Sequence, residues 1–221
     1  MVAICLAVGA FLLLGGSEKV RSILPGVDGP DMTVPEFDFR VTKSTAIATV
    51  PEVEKKTLTA AAKKAAGETI KVLDQLYTEA FLDPANWREG TYDDVWPLFE
   101  GAASEAAQRD SEALTLGTTA GDAFEAVAPA KSKVEFKVLL DGKNQPSTVV
   151  ATVVFQAKAH ASDGTTTIVV STGEVMLTKT ADGWKVLSYE IVRNDELKQP
   201  PPPSPTASGS ASASASPTEG A

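Results

Sequence analysis

The side chains able to do chemistry in this chain are few and scattered. Cys5 and His160 are the whole complement of thiol and imidazole in 221 residues. One chain therefore supplies neither an internal disulfide framework nor a Cys/His zinc cluster. Proton transfer would fall to carboxylates and phenols, with Asp74 and Asp122 as the acids and Tyr77 and Tyr92 as the donors. Such a site needs an ionisable pair facing one cavity, and the spacing assembles none. Tyr77 falls on the apolar stripe of a helix, where a core role is the commoner one. His160 follows Gln156 and Lys158 at period two, a solvated row opposite Phe155, Ala157, Ala159 and Ala161. The small alanine face leaves room for a cavity or lets a helix pack close.

No nucleophile elbow, phosphate loop or SxxK motif occurs in the chain. The run from Asp141 to Asn144 starts like a calcium loop but lacks the further carboxylates and the closing Glu, so it reads as a turn. No catalytic, metal or cofactor-binding residue is assigned, and no cofactor is expected. What remains is aromatic. Tyr77, Phe81, Trp96, Phe99, Trp184 and Tyr189 are the candidate lining of an apolar pocket, although aromatics at helical and strand spacing usually build core. Lys+Arg 20 against Asp+Glu 29 gives a net charge of −9, which repels phosphate backbones and makes a basic partner electrostatically easier than nucleic acid.

Four zones must position these residues. Residues 2 to 16 carry no charge, and as a helix they reach about 22 Å, short of the ~30 Å hydrocarbon core. Continued through Val20, Ile23 and Leu24 the run spans, so residues 1–24 are expected to be a membrane anchor, with a cleaved signal segment as the alternative. The basic flank typical of both is expected upstream of the first residue, and no Ala-x-Ala site lies near Gly16. Cys5 sits at the beginning of the run, not in a lipoprotein cleavage context. Residues 25–50, with Pro25, Pro30 and Pro35, read as an extended linker in which 37–41 alternate like a short strand. Residues 51–196 form the domain, and 197–221 are a Pro/Ser/Ala tail expected to be disordered.

Within the domain, Thr49, Pro51 and Glu52 fit the start of a helix. Its apolar face runs to Phe81 and ends at Asp83-Pro84. Gly67 is expected to interrupt it, and the Ala/Lys-rich half before Gly67 to protrude as a stalk or break away. A second helix fits from Asp94 as N-cap to about Arg109. Residues 110–130 admit a short helix or an edge strand over 122–127. Asp141-Gly142, Asp163-Gly164 and Asp182-Gly183 then punctuate four β-rich runs, the signature of an antiparallel meander. The expected class is α+β: N-terminal helices packed on a mainly antiparallel meander sheet of four or more strands, preceded by the anchor helix. In the last run, strict alternation leaves neither face apolar. A bulge near Leu187-Ser188 would place Trp184 and Val186 on one side with Tyr189 and Ile191, bending the strand as a curved sheet requires.

Helices, then long antiparallel strands, then the terminal run Asp182-Gly183-Trp184-Lys185-Val186 resemble the nuclear transport factor 2-like (cystatin-like cone) superfamily over roughly residues 68–194. The resemblance implies a curved sheet wrapping the helices around a cavity. Enzymes of that superfamily, such as ketosteroid isomerase and scytalone dehydratase, place Asp, Tyr or His groups in the cone, and no such set maps here. The anchor, linker and domain together are similar to the actinobacterial Mce-associated membrane proteins and to inner-membrane assembly factors of conjugation and secretion systems. The expected function is a non-enzymatic, single-pass membrane protein whose extracytoplasmic domain is an assembly or interaction module with an envelope protein partner. Secretion after signal cleavage is the alternative location. The alternative functions are a binding module for a small apolar ligand, a lipid or sterol, and an isomerase- or dehydratase-like enzyme.

Overall fold

The computed structural model describes residues 33–49 and 53–198. The candidate anchor, Cys5, Pro51, Glu52 and the tail beyond Lys198 lie outside the described residues. Among the described residues no helix is long and apolar enough to cross a membrane.

The architecture is mixed α and β, with a curved, unclosed sheet and a few helices. Strands β3 (Lys133–Leu140), β4 (Pro146–His160), β5 (Thr166–Thr180) and β6 (Gly183–Lys198) form the antiparallel meander that the turn signals require. β1 (Arg40–Ala48) joins β3 in parallel, so the order is β1-β3-β4-β5-β6. It occupies the end of the stretch whose composition reads as an extended linker. The short β2 (Ala126–Pro129) pairs with the His160 end of β4. Two of the Asp-Gly turns are closed by their own carboxylates, and the Asp182 turn by Thr180 Oγ1, which accepts from Asp182 N–H at 3.2 Å and donates to Gly183 O at 2.9 Å. Asp141 Oδ1 accepts from the N–H groups of Lys143 and Gln145, each at 2.8 Å, and Asp163 Oδ1 from Thr165 N–H at 2.8 Å. These backbone bonds hold the Asp141 carboxyl below its ordinary pKa, and bonds from Thr165 do the same for Asp163.

Helix α1 runs from Lys55 to Tyr77 and continues as a π turn over Thr78–Leu82, ending at Asp83 as Pro84 demands. Thr49 does not cap it. β1 takes the chain up to Ala48, and the helix starts only after the connection, with Glu54 at the N-cap and no side-chain cap bond. Gly67 does not interrupt the helix either: it is exposed, and the buried Ala65, Ala66, Thr69 and Leu73 on either side hold the helix against the sheet. The half before it is no stalk: Ala62, Ala65 and Ala66 are buried, and Ser44 Oγ of β1 donates to Ala62 O at 3.2 Å. Parallel pairing of β1 with β3 needs a crossover, and the alanine stripe lets the helix that supplies it lie close against the sheet.

The second expected helix is split. Trp96–Leu98 is a single 3-10 turn, Phe99 is extended, and α3 spans only Gly101–Arg109, ending where the pattern places the end. Phe99 forms a parallel bridge with Val186, and Glu100 N–H donates to Val186 O at 2.8 Å. Pairing with the sheet edge overrides helical periodicity here. Short helices fill the rest: α2 (Pro84–Trp87), capped by Asp83 Oδ1 on Ala85 N–H at 2.8 Å, α4 (Ser111–Leu114) and α5 (Ala120–Ala123). The stretch 110–130 therefore holds two short helices and a strand.

The bulge in β6 is present. Met176 pairs with Ser188 and Leu177 with Val186, leaving Leu187 as the extra residue. Leu187 projects outward, while Trp184, Val186, Tyr189 and Ile191 share the core side.

Candidate functional site

The interior lies between α1 and the inward rows of β5 and β6. Tyr77 and Phe81 reach it from the end of α1, Phe99 from the bridged segment, and Tyr189 from β6 just past the bulge. Without the extra residue, Tyr189 would face solvent. These four line one cavity together with Leu76 and Ser171. Its volume is about 10 Å³, room for roughly one water.

The other two candidates lie elsewhere. Trp96 is half-buried and packs beside Phe99, ring centroids 6.5 Å apart. Trp184 is buried at the β5–β6 hairpin end, where its Nε1–H donates to Glu68 Oε2 of α1 at 2.8 Å. An indole buried near a helix surface takes a polar partner, and Glu68 holds this one outside the cavity. That bond, with the nearby Lys179, keeps the Glu68 carboxyl below its ordinary pKa against the opposing effect of burial.

All three phenols are held neutral. Tyr77 is fully buried, its hydroxyl 3.3 Å from Ser171 Oγ. Burial pushes its pKa up to about 12, with the Ser171 bond acting the other way. Tyr189 donates to Asp110 Oδ2 at 2.7 Å, and burial followed by that carboxylate raises it to about 12. Tyr92 is raised by burial to about 12 and donates to Gly117 O at 2.9 Å. Each stays protonated at neutral pH, so none serves as a base.

Neither candidate acid lines the cavity. Asp74 accepts the N–H of Phe39 at 2.8 Å and does not line the cavity. Burial raises its pKa to about 6, the Phe39 bond opposes this, and Asp38 adds repulsion. Asp122 is exposed on α5, and His160 is exposed with Nδ1 3.0 Å from Thr166 Oγ1. Among the described residues no group of three or more His, Cys, Asp or Glu side chains is placed to hold a metal. What the interior offers is an apolar wall with a Tyr77–Ser171 hydroxyl pair at its floor.

Two participants escape the sequence reading. Ser171 is a polar residue in the otherwise apolar inward row of Val169, Val175 and Leu177, and that interruption is a signal legible in the sequence. Asp110 lies in the segment without a clear period, and nothing there announces a partner for Tyr189.

No family model matches the chain, and no curated protein matches it. Among solved structures the chain is similar to the crystal structure of the Kfla4162 protein from Kribbella flavida, at 16% identity and a TM-score of 0.38, over 61% of this chain and 95% of that one.

Proposed function

We propose that this chain is a non-enzymatic, membrane-anchored protein of the cell envelope whose α+β domain, read as nuclear transport factor 2-like, is an assembly or interaction module. The observation that carries the proposal is the filled interior. A cavity of about 10 Å³ falls far below the ~300–1,000 Å³ of small-molecule sites. The hydroxyls that reach it are engaged with protein partners, and no carboxylate or imidazole lines it. Recognition is then a matter for the outer surface. The uncharged run at residues 2–16 and the Pro/Gly-rich stretch after it support attachment to a membrane by the N-terminal segment, with the domain on the extracytoplasmic side.

The apolar wall is the feature that would suit a lipid or sterol, and its small volume argues against that reading. Crosslinking in intact membranes, followed by recovery of partners, tests the proposal. Specific crosslinked species are expected, and a domain that stays partnerless and monomeric in every condition overturns it.

A further inference from the structure

β6 is the last strand in the sheet order, so one of its edges has no strand beside it. Among the described residues, backbone pairing on that edge is confined to Val186, which meets Phe99 in the parallel bridge and Glu100 N–H in a hydrogen bond. The bulge at Leu187 lies behind, and residues 190–197 pair regularly with β5 without proline, glycine or a second bulge. A regular edge of this kind presents alternate unpaired N–H and C=O groups, a template for another strand. Beside it runs an open groove of about 630 Å³, lined by Glu112 and Ala113 of α4 and by Ile191, Val192, Arg193 and Asp195 of β6. Leu197 is 67% exposed and Val192 56%, so the same edge leaves apolar surface in water.

Charges on a strand edge normally oppose pairing. Here they complement each other when the strand is read antiparallel to itself about Asn194. With Asn194 opposite its own counterpart, Arg193 faces Asp195, Val192 faces Glu196 and Ile191 faces Leu197. Each of these pairs keeps to one face, with Ile191, Arg193, Asp195 and Leu197 on the core side and Val192, Asn194 and Glu196 on the outer side. Arg193 is already held in place. Its Nε and Nη2 donate to Asp195 of its own strand at 3.1 and 2.6 Å, and Nη1 donates to the carbonyls of Glu112 and Thr115 at 3.2 and 2.7 Å. The second N–H of Nη2 is left for an Asp195 carboxylate across the axis. The register is specified, because a slip of two residues sets Arg193 opposite Arg193 or Asp195 opposite Asp195. We infer that the free edge of β6 is an isologous strand-pairing site for a second copy of this chain, centred on Asn194. One two-fold axis closes both free edges, so the pairing ends at a dimer. The inference names one partner for the interaction module and to that extent rests on the reading above. Residues 191–197 offer only ~25 Å of edge at about 3.4 Å per residue, less than a standard interface, which sets the expected Kd on the order of 10 μM.

The test uses the full-length chain in neutral detergent, with Cys5→Ser in every cysteine variant so that the introduced thiol stands alone. Asn194→Cys lies on the axis, where opposed Cα atoms stand ~4.5–5.5 Å apart, within disulfide reach. Mild oxidation is expected to link it into a dimer. Val192→Cys and Glu196→Cys each face the other position, so each alone is expected to crosslink at least about tenfold more slowly than Asn194→Cys, and their equimolar mixture to recover fast crosslinking. Leu197→Glu changes an exposed residue and sets a carboxylate against Ile191 of the second copy. It is expected to weaken association at least about tenfold in sedimentation, with an unchanged circular dichroism spectrum. A wild type that stays monomeric to about 100 μM, equal crosslinking at all three positions, a mixture that crosslinks no faster than its components, or a Leu197→Glu variant that associates as the wild type does would each overturn the inference. A monomeric wild type that still crosslinks to other envelope proteins in intact membranes would remove this inference while leaving the interaction module standing.

Discussion

Asp74 is the carboxyl whose surroundings most oppose its charge. Its pKa is about 6 in the fold against an ordinary 3.8. Between those values the native state binds more protons than the unfolded chain, so this group's contribution to stability falls as pH rises from about 4 to about 6. The group is half-buried, and solvent screening reduces the size of the effect. Asp74→Asn keeps an acceptor for Phe39 N–H and removes the titration. Its melting temperature is expected to decline less than that of the wild type between pH 4 and pH 6.5, and parallel profiles would refute the assignment. Tyr77 gives a second residue-level expectation. Tyr77→Phe deletes a long hydroxyl contact and strands Ser171 Oγ in the core, at a cost of about 1 kcal/mol in denaturant unfolding. Adding Ser171→Ala should recover part of that loss, and a strictly additive cycle would show that the two hydroxyls are not coupled.

At the scale of elements, the sequence is most legible where one local signal decides. The three Asp-Gly turns and the alternation between them mark the meander, because register and turn chemistry are short-range. The β6 bulge is legible for the same reason, since the mismatch of its two apolar half-rows has no other solution on one buried face. The split after Leu98 is not, because Phe99 leaves the helical pattern to meet Val186, a residue far downstream. The start of α1 is hidden likewise: β1 claims residues up to Ala48 only because β3 offers it a parallel partner. Of the pocket candidates, plain periodicity places only Tyr77 and Phe81 at the cavity, because Tyr189 needs the β6 bulge and Phe99 its bridge to Val186. It does not foresee that Glu68 draws the Trp184 indole aside. Gly173 states an element-level requirement that the letters leave silent. It sits in β5 opposite Ile191 with φ +150°, and a Cβ there would collide with the Glu190 carbonyl. Gly173→Ala is expected to cost more than about 1 kcal/mol and to lower the melting temperature, whereas Gly67→Ala, in open space on α1, should stabilise by up to about 1 kcal/mol.

For the molecule as a whole, the core is continuous from the segment before β1 to the last strand. Phe37 and Phe39 lie 5.0 Å apart, Phe39 lies 5.0 Å from Tyr77, and Phe155 lies 4.9 Å from both Tyr77 and Phe81. Phe37 and Phe39 thus pack the segment before β1 onto the centre of the fold. Phe39→Ala is expected to destabilise the whole domain by about 3–5 kcal/mol, read as one cooperative shift of the unfolding transition. A separate early transition confined to the N-terminal segment would contradict that continuity. The strand directions carry a further consequence. β1 starts beside the start of β3, and β6 ends beside the start of β5 and the end of β4, so the described chain enters and leaves at one end of the sheet. The Asp141 and Asp182 turns occupy the opposite end. The sheet therefore has a polarity of its own, with both described chain ends at one end and the two turns at the other.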